Sequence, residues 1–286
     1  MKISSILNQQ KPSLSFEVFP PKTDDKFEGV LSAASAIADL SPSFMSVTYG
    51  AGGGTSRYTA AVCEALLSRG VTPIAHLTCV SSTREAIREE LTALRSRGIE
   101  NILALRGDLP EGFNPTAAHY HHASELMKEI GDFGGFCVGG ACYPEGHPES
   151  ESAEKDLLGL RRKVEAGCEF LTTQMFFDNN ILYNFMYRLL RADIRVPVIA
   201  GIMPVTSASQ IKRILSISSS ALPQRFVRIV DRYGDNPAAM KQAGIAYATE
   251  QIIDLFANGV PAVHVYSMNR PDVAEAIKSN LSEILK

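Results

Sequence analysis

The fold is decided by the stretch TPIAHLTCVSSTREAIREELTALRSRGIENILALR, residues 72–106. Apolar, β-prone runs at 72–79 and 101–106 predict two strands. Between them, residues 83–97 carry apolar side chains at a spacing of three to four residues, which predicts a helix. Gly98 follows this helix, at a point where a left-handed backbone conformation is needed before the next strand. The stretch is typical of one repeat of a parallel sheet covered by helices.

The same unit recurs along the chain. The predicted strands are 14–19, 44–49, 72–79, 101–106, 136–142, 170–176, 196–202 and 262–266. The predicted helices are 25–40, 57–69, 83–97, 120–130, 152–166 and 181–192. Gly70 and Gly167 also stand just past helices. About eight strands in 286 residues favour one closed (β/α)8 barrel, a single domain over 1–286 with a short N-terminal arm, rather than an open doubly wound sheet.

Composition narrows the classes of function. Because 45% of the residues are hydrophobic, the chain can bury a large core. A formal net charge of -3 gives no attraction to nucleic acid or anionic lipid, so we expect neither as a partner. The N-terminus lacks the apolar run of a signal peptide, which predicts a cytoplasmic protein. The five cysteines are scattered and form no C-x-x-C pair, so we expect each to be a buried free thiol. They are Cys63, Cys79, Cys137, Cys142 and Cys168.

Polar side chains stand where the predicted strands end. In a barrel of this kind the active site forms at the carboxyl ends of the strands. The candidates at these ends are Glu17, Thr48, Tyr49, His76, Arg106, Gly107, Asp108, Tyr143, His147 and Gln174. Six consecutive units each supply at least one of them, which is more than scattered polarity would place there.

Glu17 is the candidate acid. Alternation along the first strand puts Glu17 on the face opposite Phe16 and Val18, so its side chain should point into the barrel. A carboxyl group in such a place should have a raised pKa and stay protonated near neutral pH, as a general acid must. The alternative is a structural glutamate paired with a basic residue across the barrel mouth, and this segment alone leaves the two equally open.

The turn Arg106-Gly107-Asp108 presents a cation and an anion directly after an apolar strand. Arg106 could meet a phosphate or an electron-rich ring, and Asp108 could accept hydrogen bonds from an aminopyrimidine. A pair between Arg106 and Asp108 that merely pins the loop is an equally open alternative.

A second group of candidates surrounds the loop after strand 136–142. Tyr143 and His147 lie four residues apart there, and Asp156, Arg162 and Lys163 follow on one helix. Basic and hydrogen-bonding groups near a helix suit a diphosphate or a ribose. Taken alone, such a basic run is more often a solvated helix face.

Other features do not indicate a site by themselves. A lone strand histidine such as His76 is more often a core residue than a catalyst. A cluster of His119, His121 and His122 without nearby carboxylates is weak evidence for a metal, and no metal site is predicted. The glycine-rich segment 50–55 follows a strand but lacks both the G-x-G-x-x-G spacing and the lysine of a phosphate loop. A Rossmann domain is therefore not indicated, and any nucleotide cofactor must be held by the barrel.

Seven short motifs occur at the predicted strand ends in a particular order. They are FEVFPPK at 16–22, VTYGA at 47–51, HLTC at 76–79, LRGDLP at 105–110, YPEGHP at 143–148, TQMFFD at 173–178 and YSMNR at 266–270. Each is weak alone, but the ordered set covers nearly the whole chain, and it resembles the methylenetetrahydrofolate reductase family. The chain resembles the short bacterial members, which lack an appended regulatory domain.

The resemblance implies an FAD-dependent barrel that reduces 5,10-methylenetetrahydrofolate to 5-methyltetrahydrofolate with electrons from NADH or NADPH, in a ping-pong cycle. It implies Glu17 as the general acid and Asp108 as a second catalytic group. The implied cofactor-binding residues are Thr48, near the nicotinamide, and Tyr49, Ala51, His76, Arg106, Gly107, Asp108, Tyr143, His147, Asp156, Arg162 and Lys163. The implied folate-binding residues are Asp108, Gln174, Gln210 and Arg270.

Two other interpretations compete with this one. The chain could be another FAD barrel, such as a proline dehydrogenase-like enzyme, although the implied folate contacts of Asp108, Gln174 and Arg270 argue against it. It could also be a catalytically silent barrel subunit, which would purify colourless and tolerate loss of Glu17. The expected partners are therefore small molecules, the methylene folate and a nicotinamide nucleotide, and the resemblance also suggests a homo-oligomer.

Overall fold

The computed structural model describes residues 1–9, 11–21, 23–49, 56–109, 112, 118–217 and 221–286. Its strands are β1 (Ser13–Val18), β2 (Met45–Val47), β3 (Pro73–Thr78), β4 (Asn101–Leu105), β5 (Cys137–Cys142), β6 (Phe170–Thr173), β7 (Val198–Ile202) and β8 (Ala262–Tyr266). Its helices are α1 (Ile3–Leu7), α2 (Phe27–Ala38), α3 (Ser56–Ser68), α4 (Arg84–Ser96), α5 (Ala123–Phe133), α6 (Ala153–Glu165), α7 (Asn179–Arg191), α8 (Ala208–Ile217), α9 (Gln224–Tyr233), α10 (Pro237–Ala257) and α11 (Pro271–Asn280).

The strands close into a parallel barrel in chain order, from β1 to β8. Phe16 of β1 pairs with Met45 of β2 on one side and with Val265 of β8 on the other, which completes the circle. Helices cover the outside of the barrel, so the strands are buried on both faces and read as nearly continuous apolar runs. The prediction of a (β/α)8 barrel is confirmed.

The predicted elements are found, with ends that differ by up to three residues. The sixth strand shows the reason for one difference, since β6 ends at Thr173 rather than at residue 176. Beyond this point the carbonyl oxygens of Phe176 and Phe177 accept hydrogen bonds from the side chains of Gln251 and Tyr247 on α10. Because a helix satisfies these carbonyls, the segment no longer pairs with a neighbouring strand.

The segment between β7 and β8 contains three helices that the sequence analysis did not assign. The longest, α10, begins at a clear signal, because Asn236 caps it by accepting a hydrogen bond from Ala239 N and Pro237 takes its first position. The buried side of α10 includes the polar Thr249 and Gln251, while the apolar Ala246 and Ile253 are exposed, so the sequence shows no clear apolar stripe. Gly244 lets the helix approach the loop after β7, where a Cβ atom would collide with the carbonyl of Val205.

The expected N-terminal arm forms a helix that closes one end of the barrel. Ile3 and Leu7 of α1 pack against side chains from the amino-terminal ends of the strands. Asn101 holds α1 in place, because its Oδ1 accepts from Ile3 N at 2.9 Å while its Nδ2 donates to Met1 O at 3.0 Å and Pro73 O at 3.2 Å. Access to the barrel interior is therefore left to the opposite end.

Three smaller predictions can be compared with the structure. Gly70, Gly98 and Gly167 adopt φ values of 77°, 73° and 98°, which confirms that each follows a helix in the left-handed conformation. The five cysteines are buried and free, as predicted. Within the described ranges, no helix combines the length and the hydropathy needed to span a bilayer.

Candidate active site

Two adjoining cavities lie toward the carboxyl ends of the strands. The inner cavity, of about 250 Å³, lies inside the barrel, and its lining includes Glu17, Ser46, Thr48, His76, His264 and Tyr266. The outer cavity, of about 750 Å³, lies beside it, and its lining includes Arg106, Gly107, Asp108, His147, Glu149, Asp156, Arg162 and Lys163. Tyr143 and Gln174 line both, so the two cavities meet at these side chains.

Glu17 points into the inner cavity and is only 7% exposed, as its position in the strand predicts. Its Oε2 lies 3.4 Å from Ser46 Oγ and 3.6 Å from His76 Nε2. Burial raises the pKa of Glu17 from 4.5 to about 8 and lowers the pKa of His76 to about 3. Both groups are therefore mainly neutral near pH 7, so their contact is not an ion pair and the barrel holds a protonated carboxyl group.

A chain of buried polar groups continues from Glu17 along the inner cavity to His264 and on to Ser15. Ser46 Oγ lies 2.8 Å from His264 Nε2, and Ser15 Oγ lies 2.7 Å from His264 Nδ1. Ser15 Oγ also lies 3.0 Å from Val263 O. Burial lowers the pKa of His264 to about 3, so this imidazole is neutral and carries one proton and one lone pair.

The end of β1 is fastened to the loop after β8, which fixes the position of Glu17. Ser267 Oγ donates to Glu17 O at 2.6 Å. Asn269 reproduces a strand pairing with its side chain, because its Oδ1 accepts from Phe19 N at 2.8 Å and its Nδ2 donates to Phe19 O at 3.0 Å. Met268 and Asn269 both have φ near 55°, a conformation that asparagine tolerates but that is unfavourable for a residue such as methionine.

Tyr266 forms the wall of the inner cavity nearest β6 and β7. Its hydroxyl donates to Thr173 O, and burial raises its pKa well above the usual value, so the phenol stays neutral. Gly201 makes this placement possible, because a Cβ atom there would collide with the Tyr266 hydroxyl and with Thr173 O. A small residue in β7 therefore determines where an aromatic side chain of β8 can stand.

Arg106 enters the outer cavity from the end of β4. Its guanidinium makes two hydrogen bonds with Glu149, at 2.5 and 2.7 Å, so the partner of Arg106 in the described structure is Glu149 and not Asp108. Gly107, with a φ of 89°, runs close to β3, and a Cβ atom there would lie 3.1 Å from Thr78 Cβ. Asp108 is left exposed at the rim of the cavity.

The opposite wall of the outer cavity combines aromatic and charged groups. The ring of Tyr143 packs edge to face on His147, with centroids 4.6 Å apart. Lys163 donates to Ala141 O at 2.6 Å, and burial lowers its pKa. Burial likewise raises the pKa of Asp156. These shifts mean that each charge has lost hydration, so a polar ligand of opposite charge would be favoured here.

Arg162, which neighbours Lys163 on α6, is exposed at the same cavity. It forms no ion pair within the described parts of the chain. The preceding residue, Arg161, points elsewhere and donates to Ala192 O at 2.8 Å. Of the two adjacent arginines, only Arg162 is therefore placed to meet an anion in the outer cavity.

A family model described as methylenetetrahydrofolate reductase matches residues 2–282. The chain belongs to the methylenetetrahydrofolate reductase family. The 5,10-methylenetetrahydrofolate reductases of Pectobacterium carotovorum subsp. carotovorum and Escherichia coli (strain K12) are each 34% identical over 270 residues, which cover 94% of this chain and 90% of the relative. Methylenetetrahydrofolate reductase (NADH) 1 of Arabidopsis thaliana is 33% identical over 300 residues, which cover 99% of this chain and 50% of that protein.

One solved structure extends the comparison to the fold. An uncharacterized protein from Clostridium thermocellum, which binds two copies of 5-methyl-5,6,7,8-tetrahydrofolic acid, superimposes with a TM-score of 0.69. The alignment covers 99% of each chain at 15% identity. At this level of identity the likeness establishes the shared barrel fold.

The residues that the reductase resemblance singles out divide into three groups. Those that line one or both cavities are Glu17, Thr48, His76, Arg106, Gly107, Asp108, Tyr143, His147, Asp156, Arg162, Lys163 and Gln174. Tyr49, Gln210 and Arg270 are described but line neither cavity. Ala51 lies outside the described residues.

The side chains of Gln210 and Arg270 both make hydrogen bonds with residues close to them in the sequence. Gln210 Oε1 accepts hydrogen bonds from Thr206 N at 2.7 Å and Ser207 N at 3.1 Å, so it organises the start of α8. Arg270 makes a bidentate pair with Asp272, at 3.0 and 2.9 Å, at the start of α11. These bonds use Oε1 of Gln210 and the Nε and Nη2 atoms of Arg270.

Histidine and acidic side chains do not form a metal centre in the described structure. No group of three or more histidine, cysteine, aspartate or glutamate side chains there is arranged to hold an ion. His121 and His122 instead stand at the start of α5, where their backbone N–H groups donate to Glu125. This arrangement satisfies the free donors of a helix start.

Five residues that shape the cavities have no site role predicted from the sequence, although two of them lie in the motif at 266–270. They are Ser46, Glu149, His264, Tyr266 and Asn269. Strand alternation could have indicated some of them, because Glu17 pairs in register with Ser46 and with Tyr266 on its two sides. Nothing in the local sequence indicates that Glu149 reaches back across the cavity to Arg106.

Proposed function

We propose that this protein reduces 5,10-methylenetetrahydrofolate to 5-methyltetrahydrofolate, with electrons from NADH or NADPH carried by FAD in a ping-pong cycle. The observation that carries the proposal is the state of Glu17 in a chain that belongs to this family. A carboxyl group held neutral at physiological pH, with an open cavity beside it, has the properties of a general acid.

The residues present fit a flavin nucleotide. The outer cavity, of about 750 Å³, lies within the range of roughly 300–1,000 Å³ that cofactor sites occupy. Arg162 and Lys163 supply cations for a diphosphate, and Asp156 supplies a carboxylate for hydroxyl groups. His76 Nε2 is buried and has no hydrogen-bond partner among the described residues, which leaves a polar atom for a ligand to satisfy.

When bound, FAD would supply two-electron transfer between the nicotinamide nucleotide and the folate. The chain would hold its phosphate and sugar portion with Arg106, His147, Asp156, Arg162 and Lys163, and would orient its ring portion with residues where the two cavities meet. Arg106 is already paired with Glu149, so it would act as a fixed hydrogen-bonding surface rather than as a free cation.

Glu17 would give its proton to the folate nitrogen that departs when the five-membered ring opens. With a pKa of about 8, most Glu17 side chains carry this proton at pH 7, and the carboxylate formed returns to the protonated state from solvent in each turnover. Asp108 would stabilise the positive charge of the opened one-carbon unit, because a preorganised carboxylate acts more strongly than mobile water. Gln174 would orient the pterin, since its amide can donate and accept at once.

Glu17→Gln tests the proposal. We expect the variant to keep its flavin colour and to be bleached by NADH or NADPH, while the return of colour on adding the methylene folate slows by about 10²- to 10⁴-fold. Glu100→Gln is the matched control, because Glu100 pairs with the N-terminal amine at the closed end of the barrel. Normal folate turnover in Glu17→Gln, or a native protein that neither binds flavin nor accepts it on reconstitution, would contradict the proposal.

Asp108→Asn separates the electrostatic role from binding. The variant should retain FAD and reduce the folate more slowly in a single turnover, because the neutral amide no longer stabilises a nearby cation. An unchanged single-turnover rate would remove this role from Asp108.

Self-association also remains a proposal that rests on the family resemblance. Light scattering of the purified protein would test it, and a mass equal to that of one 286-residue chain would contradict it.

A further inference from the structure

The polar chain behind Glu17 allows its hydrogen atoms to be assigned one by one. It runs from Glu17 through Ser46 and His264 to Ser15 and ends at Val263 O. Each serine hydroxyl has one hydrogen to donate, and a neutral imidazole has one N–H and one lone pair. Which group donates in each of these hydrogen bonds is therefore decided at an end of the series where the last group can only accept or only donate.

Val263 O is the end that can only accept. Ser15 Oγ lies 3.0 Å from this carbonyl oxygen, and two oxygen lone pairs at that distance would repel unless the Ser15 hydrogen lies between them. With its hydrogen directed to Val263, Ser15 must accept from His264 Nδ1 across their 2.7 Å contact. His264 therefore carries its proton on Nδ1.

The remaining hydrogens follow from this tautomer. His264 Nε2 then has only a lone pair, so the 2.8 Å contact requires Ser46 to donate to it. Ser46 has no second hydrogen for the carboxyl oxygen of Glu17, 3.4 Å away. Ser46 can therefore only accept from Glu17, and Glu17 must supply the hydrogen.

We infer that His264, in its neutral Nδ1-protonated form, is a positioning residue that acts through Ser46 to hold the Glu17 carboxyl group protonated and ready to donate. Its value for catalysis rests on the function proposed above, but the hydrogen-bond arrangement does not. If Glu17 lost its proton, its carboxylate would face a lone pair of Ser46, because His264 retains the Ser46 hydrogen. With its hydrogen directed to His264, Ser46 offers the Glu17 carboxylate no hydrogen bond that would offset the rise in pKa caused by burial.

The other titratable groups that face Glu17 do not provide this arrangement. His76 Nε2 lies 3.6 Å from the carboxyl group but makes no hydrogen bond among the described residues, and its imidazole is neutral. Tyr266 stands in register beside Glu17, but its hydroxyl hydrogen is directed to Thr173 O. Among the residues that the structure describes, only the contact through Ser46 links Glu17 to a group whose tautomer can determine the direction of the hydrogen bond.

Nitrogen-15 NMR of the native holoprotein tests the tautomer directly. The two ring nitrogens of His264, assigned by their loss in a His264→Gln sample, should show a protonated Nδ1 and an unprotonated Nε2. Protonation of Nε2 would reverse the chain, allow Ser46 to donate to Glu17 and overturn the inference. This measurement needs no substrate, so its outcome is independent of whether the protein reduces folates.

The pKa of Glu17 in three variants tests the consequence. It can be followed by the infrared carbonyl band that disappears in Glu17→Gln. In His264→Leu the Ser46 hydrogen is released to the carboxylate, and because hydrogen bonds to charged groups are strong, we expect the pKa of Glu17 to fall by about one to two units. In Ser46→Ala no donor is created, so the pKa should not fall. His264→Gln should keep the native value, since an amide oxygen can accept from Ser46.

A merely structural role predicts a different pattern. If His264 only filled space, both His264→Leu and Ser46→Ala would admit water and lower the pKa of Glu17 alike, and that result would overturn the inference. Should His264→Leu fail to fold, the comparison of native protein, Ser46→Ala and His264→Gln with the NMR result still decides it. If the native protein does not reduce the folate but shows the predicted tautomer and pKa pattern, only the proposed function is contradicted.

Discussion

Replacing Glu17 with glutamine should change how protein stability depends on pH. In the unfolded chain this carboxyl group titrates at 4.5, and in the folded chain it titrates at about 8. Between these values unfolding releases a proton, so the free energy of unfolding falls as the pH rises. Below pH 4.5 the group is protonated in both states, and above pH 8 it is ionised in both, so the effect begins and ends there. Glutamine does not titrate, so the Glu17→Gln variant does not lose this part of its free energy of unfolding as the pH rises.

The magnitude follows from the gap between the two pKa values. That gap is about 3.5 pH units, and one unit corresponds to about 1.36 kcal/mol, so ionising Glu17 costs up to about 5 kcal/mol. Glu17 is 7% exposed, so solvent screens little of this cost. Relative to the native protein, Glu17→Gln should therefore gain up to about 5 kcal/mol of stability between pH 4.5 and pH 8. Every other titrating group is common to both proteins and cancels in the difference.

Urea unfolding of both proteins from pH 4.5 to 9, at equal cofactor content, measures this difference. Glu129→Gln is a matched control, because Glu129 is equally buried but lies 2.7 Å from both Arg84 and Arg88. Burial opposes ionisation of Glu129, yet hydrogen bonds and charges from these arginines outweigh it and lower its pKa. The stability lost in Glu129→Gln should thus be largest at neutral pH and shrink as the pH falls toward the lowered pKa.

A stability difference between Glu17→Gln and the native protein that stays constant from pH 4.5 to 9 would refute the reasoning. It would mean that water reaches the carboxyl group or that a cation pairs with it. A stability loss in Glu17→Gln that is largest at neutral pH and shrinks toward acid would assign Glu17 the paired, ionised state of Glu129.

Three further predictions concern the frame around the site. Asn101→Ala should lower the free energy of unfolding by about 2–3 kcal/mol, because three hydrogen bonds are lost, two to Met1 and Ile3 and one to Pro73 of β3, and urea unfolding would detect this. Gly201→Ala should cost about 1–3 kcal/mol, because the added methyl group collides with the Tyr266 hydroxyl, and an unchanged melting temperature would contradict it. Arg162→Ala should weaken FAD binding by about 10- to 100-fold in a fluorescence titration, whereas Arg161→Ala should not.

The barrel could be predicted from the sequence because its determinants are local. Strands buried on both faces need continuous apolar runs, and helices that cover them need one apolar stripe. The sequence of each repeat is therefore enough to predict its strand and its helix. Glycines at Gly70, Gly98 and Gly167 mark the helix ends, since few other residues tolerate a positive φ. Prediction failed for α10, because polar Thr249 and Gln251 lie on its buried side and apolar Ala246 and Ile253 are exposed, which obscures the helical period.

For the candidate site, the sequence predicted which residues lie at the strand ends but not which partners they contact. Glu17 could be placed inside the barrel because alternation along one strand decides its direction. The partner of Arg106 could not, because Glu149 is 43 residues away in the chain and its approach depends on the path of the loop after β5. For Gln210 and Arg270 the folate contact stays a prediction, and the structure adds the local hydrogen bonds that they make to Thr206 and Asp272.

The sequence by itself determined the order and type of the elements and which residues stand at their ends, because propensity and periodicity act over a few neighbours. Only the tertiary structure decided the chemical state of those residues. Glu17, Ser46 and His264 come from three strands, and the closing of β8 onto β1 brings them into one hydrogen-bonded chain. Whether a carboxyl group is neutral depends on the water and dipoles around it, and these are set by groups distant in the chain.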